Sequence, residues 1–160
     1  MKARADLAAA LGAAVAAAAG GAFALETVEP VAGGCIHEAL RLSGTGPGAR
    51  RDFFAKGGAA DRAPMFAAEA EGLEALRAAG ALAVPEVVAR GADAERAWLV
   101  LEWLELAPLD AASAAALGGA LAAQHRQPRA RFGWERDNFI GATSQPNGWS
   151  DDWPGFWRER

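Results

Sequence analysis

Phe53-Phe54-Ala55-Lys56, followed at 64–73 by Pro-Met-Phe-Ala-Ala-Glu-Ala-Glu-Gly-Leu, is the stretch on which the fold turns. The first piece reads as a short strand rich in phenylalanine. In the second, Pro64 takes the favoured first position of a helix that runs over about 65–79 and closes at Gly80. Phe66, Leu73 and Leu76 lie three, four and seven positions from Glu69 and define the apolar face, so the Glu69 carboxylate points inward. Glu71 and Glu74 project elsewhere, as surface charges. An unpaired buried carboxylate costs on the order of several kcal/mol, so Glu69 calls for a cation. Lys56, which ends the strand just ahead of the helix, is the candidate. The same residues also fit two unrelated charges reaching solvent at element edges.

Upstream, 25–31 and 35–42 read as strands joined by a tight turn at Gly33-Gly34, and 43–48 as a flexible loop leading to the strand at 52–56. Downstream, strands follow at 86–89 and 98–103, the latter apolar except for Glu102, as in a strand covered on both faces. A second alanine-rich helix is expected over 111–125, capped by Asp110 or Ser113. Residues 126–147 are rich in Gly, Pro and Asn and read mostly as loop, and Asp152 ahead of Trp153-Pro154 signals another helix. Strands and helices do not alternate regularly, and no repeat is present. The fold class is therefore α+β and not a doubly wound sheet.

The whole chain is 160 residues, enough for one domain with a real core, although alanine inflates its 52% apolar content while adding little packing volume. A net charge of -4 and a pI near 5.2 argue against an electrostatic grip on nucleic acid or an anionic membrane. The single cysteine, Cys35, excludes an internal disulfide, and with two histidines, His37 and His125, the expectation is a cytoplasmic protein without a metal cage. Lys2, Arg4 and the run 7–19 imitate a signal peptide, but Asp6 and the weak apolarity of alanine favour a surface helix ending at Gly20-Gly21. No stretch approaches the roughly 20 strongly apolar residues of a membrane span.

Glycines at 33–34 would let backbone N–H groups approach phosphates, yet any hairpin can carry Gly-Gly, and the spacing fits neither the Walker nor the Rossmann pattern. The conjunction is stronger than its parts. A glycine hairpin, a strand lysine, a helix glutamate and a buried strand running into Glu102-Trp103-Leu104-Glu105 follow the order of protein-kinase-like small lobes.

In wording and spacing the chain resembles the fructosamine/ketosamine-3-kinase family. The residues that carry this are Gly-Gly-Cys-Ile-His-Glu-Ala at 33–39, Phe-Phe-Ala-Lys at 53–56, the 65–73 helix, Val-Pro-Glu-Val at 84–87 and Leu-Val-Leu-Glu at 99–102. Leu117-Gly118, Leu121-Ala122, His125, Phe132-Gly133, the Asp137-to-Gly141 run, Gln145-Pro146-Asn147 and Trp149 through Trp157 extend it. The resemblance implies a kinase-like ATP-binding small lobe over 25–105, preceded by the 1–24 helix and followed at 106–160 by the start of a larger substrate lobe. It implies ATP and Mg2+ as cofactors and phosphorylation of the sugar 3-hydroxyl of ketosamines, the products of amine glycation. By the same resemblance Lys56 holds the α/β-phosphates and Glu69 orients it, while the backbone of Gly33, Gly34 and Cys35 covers the phosphates. The Glu102 carbonyl and Leu104 N–H hydrogen-bond adenine.

Cys35 reads as a small strand residue, or, if it faces the cleft, as an oxidisable thiol that would obstruct the phosphate site. His125 is expected to be a hydrogen-bonded core histidine on the Leu117/Leu121 face, and Asp137 and Asn138 fit turn chemistry better than a base and metal ligand. Trp149, Trp153 and Trp157 recur every four residues as an apolar stripe in want of a partner. The family's catalytic His-Gly-Asp segment and metal-binding Asp have no counterpart in the sequence, so no catalytic residue or metal ligand is assigned and the chain alone is expected to be inactive. An aminoglycoside-phosphotransferase-like kinase with another substrate and a non-catalytic nucleotide-binding or interaction fragment are the alternatives.

Overall fold

The computed structural model describes residues 2–32 and 36–159, with the backbone alone for 2–4, so the expected Gly33-Gly34 turn and Cys35 lie outside the described residues. Contacts divide the chain into two units, one of Met1–Ala78 with Ala83–Pro108 and one of Ala79–Leu82 with Leu109–Arg160.

The first unit is built on an antiparallel sheet of five strands, β1 (Ala24–Pro30), β2 (Glu38–Gly46), β3 (Ala49–Ala59), β4 (Val87–Ala92) and β5 (Arg96–Glu102), in the order β1-β2-β3-β5-β4. A helix covers each face. On one, α1 (Lys2–Ala18) lays Leu7, Leu11 and Val15, one per turn, on Leu40, Leu42, Phe53, Ala55 and Val100. The segment read from sequence as a surface helix thus contributes three of the most buried side chains of the unit, each contributing about 1.5–3 kcal/mol on burial. On the other face α2 (Ala63–Ala78) sets Phe66 and Ala70 against Ala97, Leu99 and Leu101. Leu76, expected beside them, is 42% exposed, because the face of α2 that meets the sheet is made by Phe66, Ala70 and Leu73.

The loop expected at 43–48 is a continuous hairpin. Ser43, Gly44 and Gly46 pair with Asp52, Arg51 and Ala49, and only Pro47-Gly48, with Gly48 at φ +86°, makes the turn. Gly44 serves close approach and not flexibility, since a Cβ there would lie 2.3 Å from the Ala24 carbonyl oxygen and 2.5 Å from the Phe23 ring. Among the described residues no helix is long and apolar enough to cross a membrane.

The second unit contains α3 (Ala111–His125), a small hairpin of β6 (Asn138–Ile140) and β7 (Thr143–Gln145), and α4 (Trp153–Glu159). Asp110 and Ser113 both cap α3, in a reciprocal capping box. Asp152 caps α4 by accepting the Gly155 N–H at 2.7 Å. The stretch read mostly as loop is held by Trp134 N–H donating to the Asn147 carbonyl at 2.9 Å and by a Phe132–Ser150 bridge. Trp149 precedes α4, so the aromatic stripe is Trp153 and Trp157, with Phe132 tilted against Trp153 at 5.4 Å. His125 is exposed and not a core histidine, because α3 buries none of its residues.

Candidate functional site

The pleat of β3 sends Phe53 and Ala55 to the α1 face and Phe54 and Lys56 to the α2 face. Lys56 lies opposite Leu99 in β5 and Ala39 in β2, in the middle of the sheet. On α2, Glu69 follows buried Phe66 by three residues and so lies on the same side of the helix, towards the sheet. Periodicity from two elements therefore converges. Lys56 Nζ donates to Glu69 Oε1 at 2.6 Å, with side chains 27% and 29% exposed. The pair is sheltered without being sealed, which leaves the ammonium able to meet a ligand.

This pair lies in a cleft of about 600 Å³, within the range of small-molecule sites. Val31, Ala32, Phe54, Leu73, Pro85 and Leu101 supply its apolar wall, and Glu102, Trp103, Leu104, Glu105 and Leu106 its far edge. Of the residues singled out from sequence, Lys56, Glu69, Glu102 and Leu104 come together in this one cleft, and Gly33, Gly34 and Cys35 lie outside the described residues. Phe54 and Leu73 were not singled out as site residues. The strand period places Phe54 with Lys56, and the helix period places Leu73 with Glu69. The Glu102 carboxylate turns to β4, accepting the Glu86 N–H at 3.1 Å and lying 3.7 Å from Arg77. Its charge is thus engaged by its neighbours.

Near the base of the pair, His37 Nε2 approaches the Met65 sulfur at 3.0 Å, and its ring lies 4.7 Å from that of Phe66. Burial, then the neighbouring Lys56 charge, lowers the imidazole pKa from 6.5, with Glu69 acting in the opposite sense. At the other end, Arg41 in β2 pairs with Asp52 in β3 and lies 4.4 Å over the Trp103 ring. The Arg41 guanidinium, then the Ser43 hydroxyl, holds the Asp52 carboxyl below its ordinary range.

A cationic side chain fixed by a carboxylate at one end of an apolar slot, with strand-end backbone at the other, suits a flat heterocycle carrying a polyanionic tail. ATP fits that description. The Mg2+ implied with it finds no group of three or more His, Cys, Asp or Glu arranged to hold a metal among the described residues. In the second unit the Asp137 carboxylate accepts the Asn147 N–H at 2.8 Å, a bond across ten residues and not the local turn contact expected of it.

A sequence model described as fructosamine kinase matches residues 8–160. A protein of Synechocystis named "Probable ketoamine kinase" is 40% identical over 138 residues, which are 86% of this chain and 45% of that protein. A namesake from Escherichia coli K12 is 37% identical over 137 residues, 85% of this chain and 46% of its own length. Among solved structures, a "putative fructosamine-3-kinase" of Thermobifida fusca superposes with a TM-score of 0.73 at 27% identity, over 93% of this chain and 50% of that one. The Haemophilus somnus structure of the same description gives 0.82 at 24% identity, over the same shares, and speaks for the fold. The chain spans about half the length of these relatives.

Proposed function

Since the chain belongs to the fructosamine kinase family, we propose that its first unit binds ATP in the Lys56–Glu69 cleft, as the nucleotide-binding part of a kinase that phosphorylates the sugar 3-hydroxyl of ketosamines. The observation that carries this is the 2.6 Å Lys56–Glu69 contact inside an apolar slot of ligand size. Lys56 neutralises phosphate oxygens, and Glu69 holds its ammonium at the place where the phosphates lie. The Glu102 carbonyl and Leu104 N–H read the donor–acceptor edge of adenine, and Phe54, Leu73 and Leu101 exclude water from its faces. Gly33, Gly34 and Cys35 cover the phosphates in this reading. Phosphoryl transfer works by positioning and charge stabilisation around a base and a metal, and neither role is assigned to a residue of this sequence. The chain by itself therefore binds nucleotide without turning it over, a reading favoured by its match to half the length of its relatives.

Calorimetric titration of the 160-residue chain with ATP and with adenosine tests the proposal. Lys56→Met should weaken ATP by about tenfold or more while sparing adenosine, because a charge-assisted contact to phosphate is lost. Glu69→Gln should do the same to a smaller degree. Equal ATP affinity in wild type and Lys56→Met would remove Lys56 from the site, and phosphorylation of a fructosamine substrate by the chain alone would refute the division of labour.

A further inference from the structure

The ladder of β5 ends at Glu102, and residues 103–105 continue without regular structure, although they form an edge of the cleft. Backbone that has left a sheet has lost its ladder bonds, so side-chain contacts weigh more in holding it. Two side chains of this segment are held. The Trp103 Nε1–H donates to Glu105 Oε1 at 2.8 Å, and both residues meet the same guanidinium, Arg41 lying 4.4 Å above the Trp103 ring and 4.0 Å from Glu105 Oε1. Arg41 is opposite Phe54 in the ladder, on the cleft face of the sheet, since its neighbours Leu40 and Leu42 face α1. Asp52, one pair along on the same face, receives its other side.

We propose that Arg41 is a positioning residue, which ties segment 103–105 to the sheet and so sets how the base end of the cleft holds its ligand. The inference rests on the ATP reading above. Only a planar guanidinium stacks on an indole while directing N–H groups to carboxylates in its own plane, so lysine keeps the charge and loses the clamp. An ion pair that merely decorates the sheet would tolerate that change. The clamp acts on the base and not on the phosphates, the opposite of Lys56.

The test compares wild type, Arg41→Lys and Glu105→Ala as full 160-residue chains, the latter at a side chain 83% exposed, where truncation leaves the fold intact. Amide hydrogen exchange is followed at 103–106, and adenosine, ATP and inorganic triphosphate are titrated. Both variants should speed exchange in that segment and weaken adenosine and ATP alike, by about three- to fivefold where Arg41→Lys loses the stack and by less where Glu105→Ala loses only the carboxylate, with triphosphate unchanged. Unchanged exchange and unchanged adenosine affinity in both variants would overturn the clamp. A wild-type chain that binds neither adenosine nor ATP, while Arg41→Lys still speeds exchange, refutes the nucleotide reading and with it the role at the base. A loss confined to triphosphate and ATP would also overturn it, by placing Arg41 among the phosphate contacts.

Discussion

Helices α2 and α3 are 16 and 15 residues long and both rich in alanine, yet they live under opposite conditions. α2 carries charges, buries Phe66 and Ala70, and delivers Glu69 to a cation on the sheet. α3 has no Asp, Glu, Lys or Arg, and it buries none of its residues. Its Leu117 and Leu121 are 46% and 43% exposed. An uncharged helix of this kind is normally interior, so apolarity by itself does not make a core; a facing surface of the right shape does. The sheet supplies that surface to α2. α3 has two local supports, the capping box at Asp110 and Ser113 and the propensity of alanine.

The sharpest way to break this contrast is to remove the same apolar bulk from each side. Leu11→Ala or Phe66→Ala should destabilise the first unit by about 3–5 kcal/mol, because both side chains are fully buried. Leu117→Ala should stay within about 0.5 kcal/mol. Urea unfolding followed by exchange protection within each unit measures both, and an equal loss at Leu117 would mean that α3 has a packing partner.

A smaller effect is expected at the cap. Asp110→Ala should give severalfold faster amide exchange in the first turn of α3 and leave α2 unaffected. The Ser113 N–H, then its hydroxyl, lowers the Asp110 pKa from 3.8. The cap is accordingly intact above the unfolded value of 3.8 and is lost as pH falls through the lowered folded value. Acid fraying of α3 that persists in Asp110→Asn would assign it to another group.

The smallest effect concerns His37 in the first unit. Its folded pKa lies below 6.5, so the unfolded chain takes up the proton first as pH falls. Stability present above 6.5 should decline as pH drops through that value and level off below the folded pKa. Lys56 and Arg62 oppose the imidazolium and Glu69 favours it, so the slope should be slight and absent in His37→Gln. A slope of equal size in both proteins would point to the carboxylates instead.

Legibility in the sequence followed the range of the force involved. Glu69 could be paired with Lys56 because two short-range periods, of helix and strand, aim them at each other. Leu76 was misplaced and Ala70 overlooked because the two lie at the margins of one helical face, and the crossing of α2 over the sheet decides between them. Gly44 and Gly46 resembled a loop because glycine is conformationally permissive everywhere. The ring of Phe23, pressed on the strand, reveals why glycine stands at position 44. The 138–145 hairpin was hidden by strands of three residues, too short to show a period. Nothing near Arg41 in the chain foretold that it would meet Trp103 and Glu105.

By itself, then, the sequence determined what is settled within a turn or two of chain: the helix that starts near Pro64 with its inward Glu69, the capped start of α3, the Asp152 cap of α4 and a strand through Phe53 and Lys56, which the structure carries three residues further, to Ala59. Only the tertiary structure decided which apolar helix becomes core, that α1 belongs to the sheet, and that a guanidinium on β2 clamps the segment after β5. Caps and periods act between neighbours in sequence. Burial and long-range contact depend on the register and crossing of elements, and those are fixed by close packing across the whole unit.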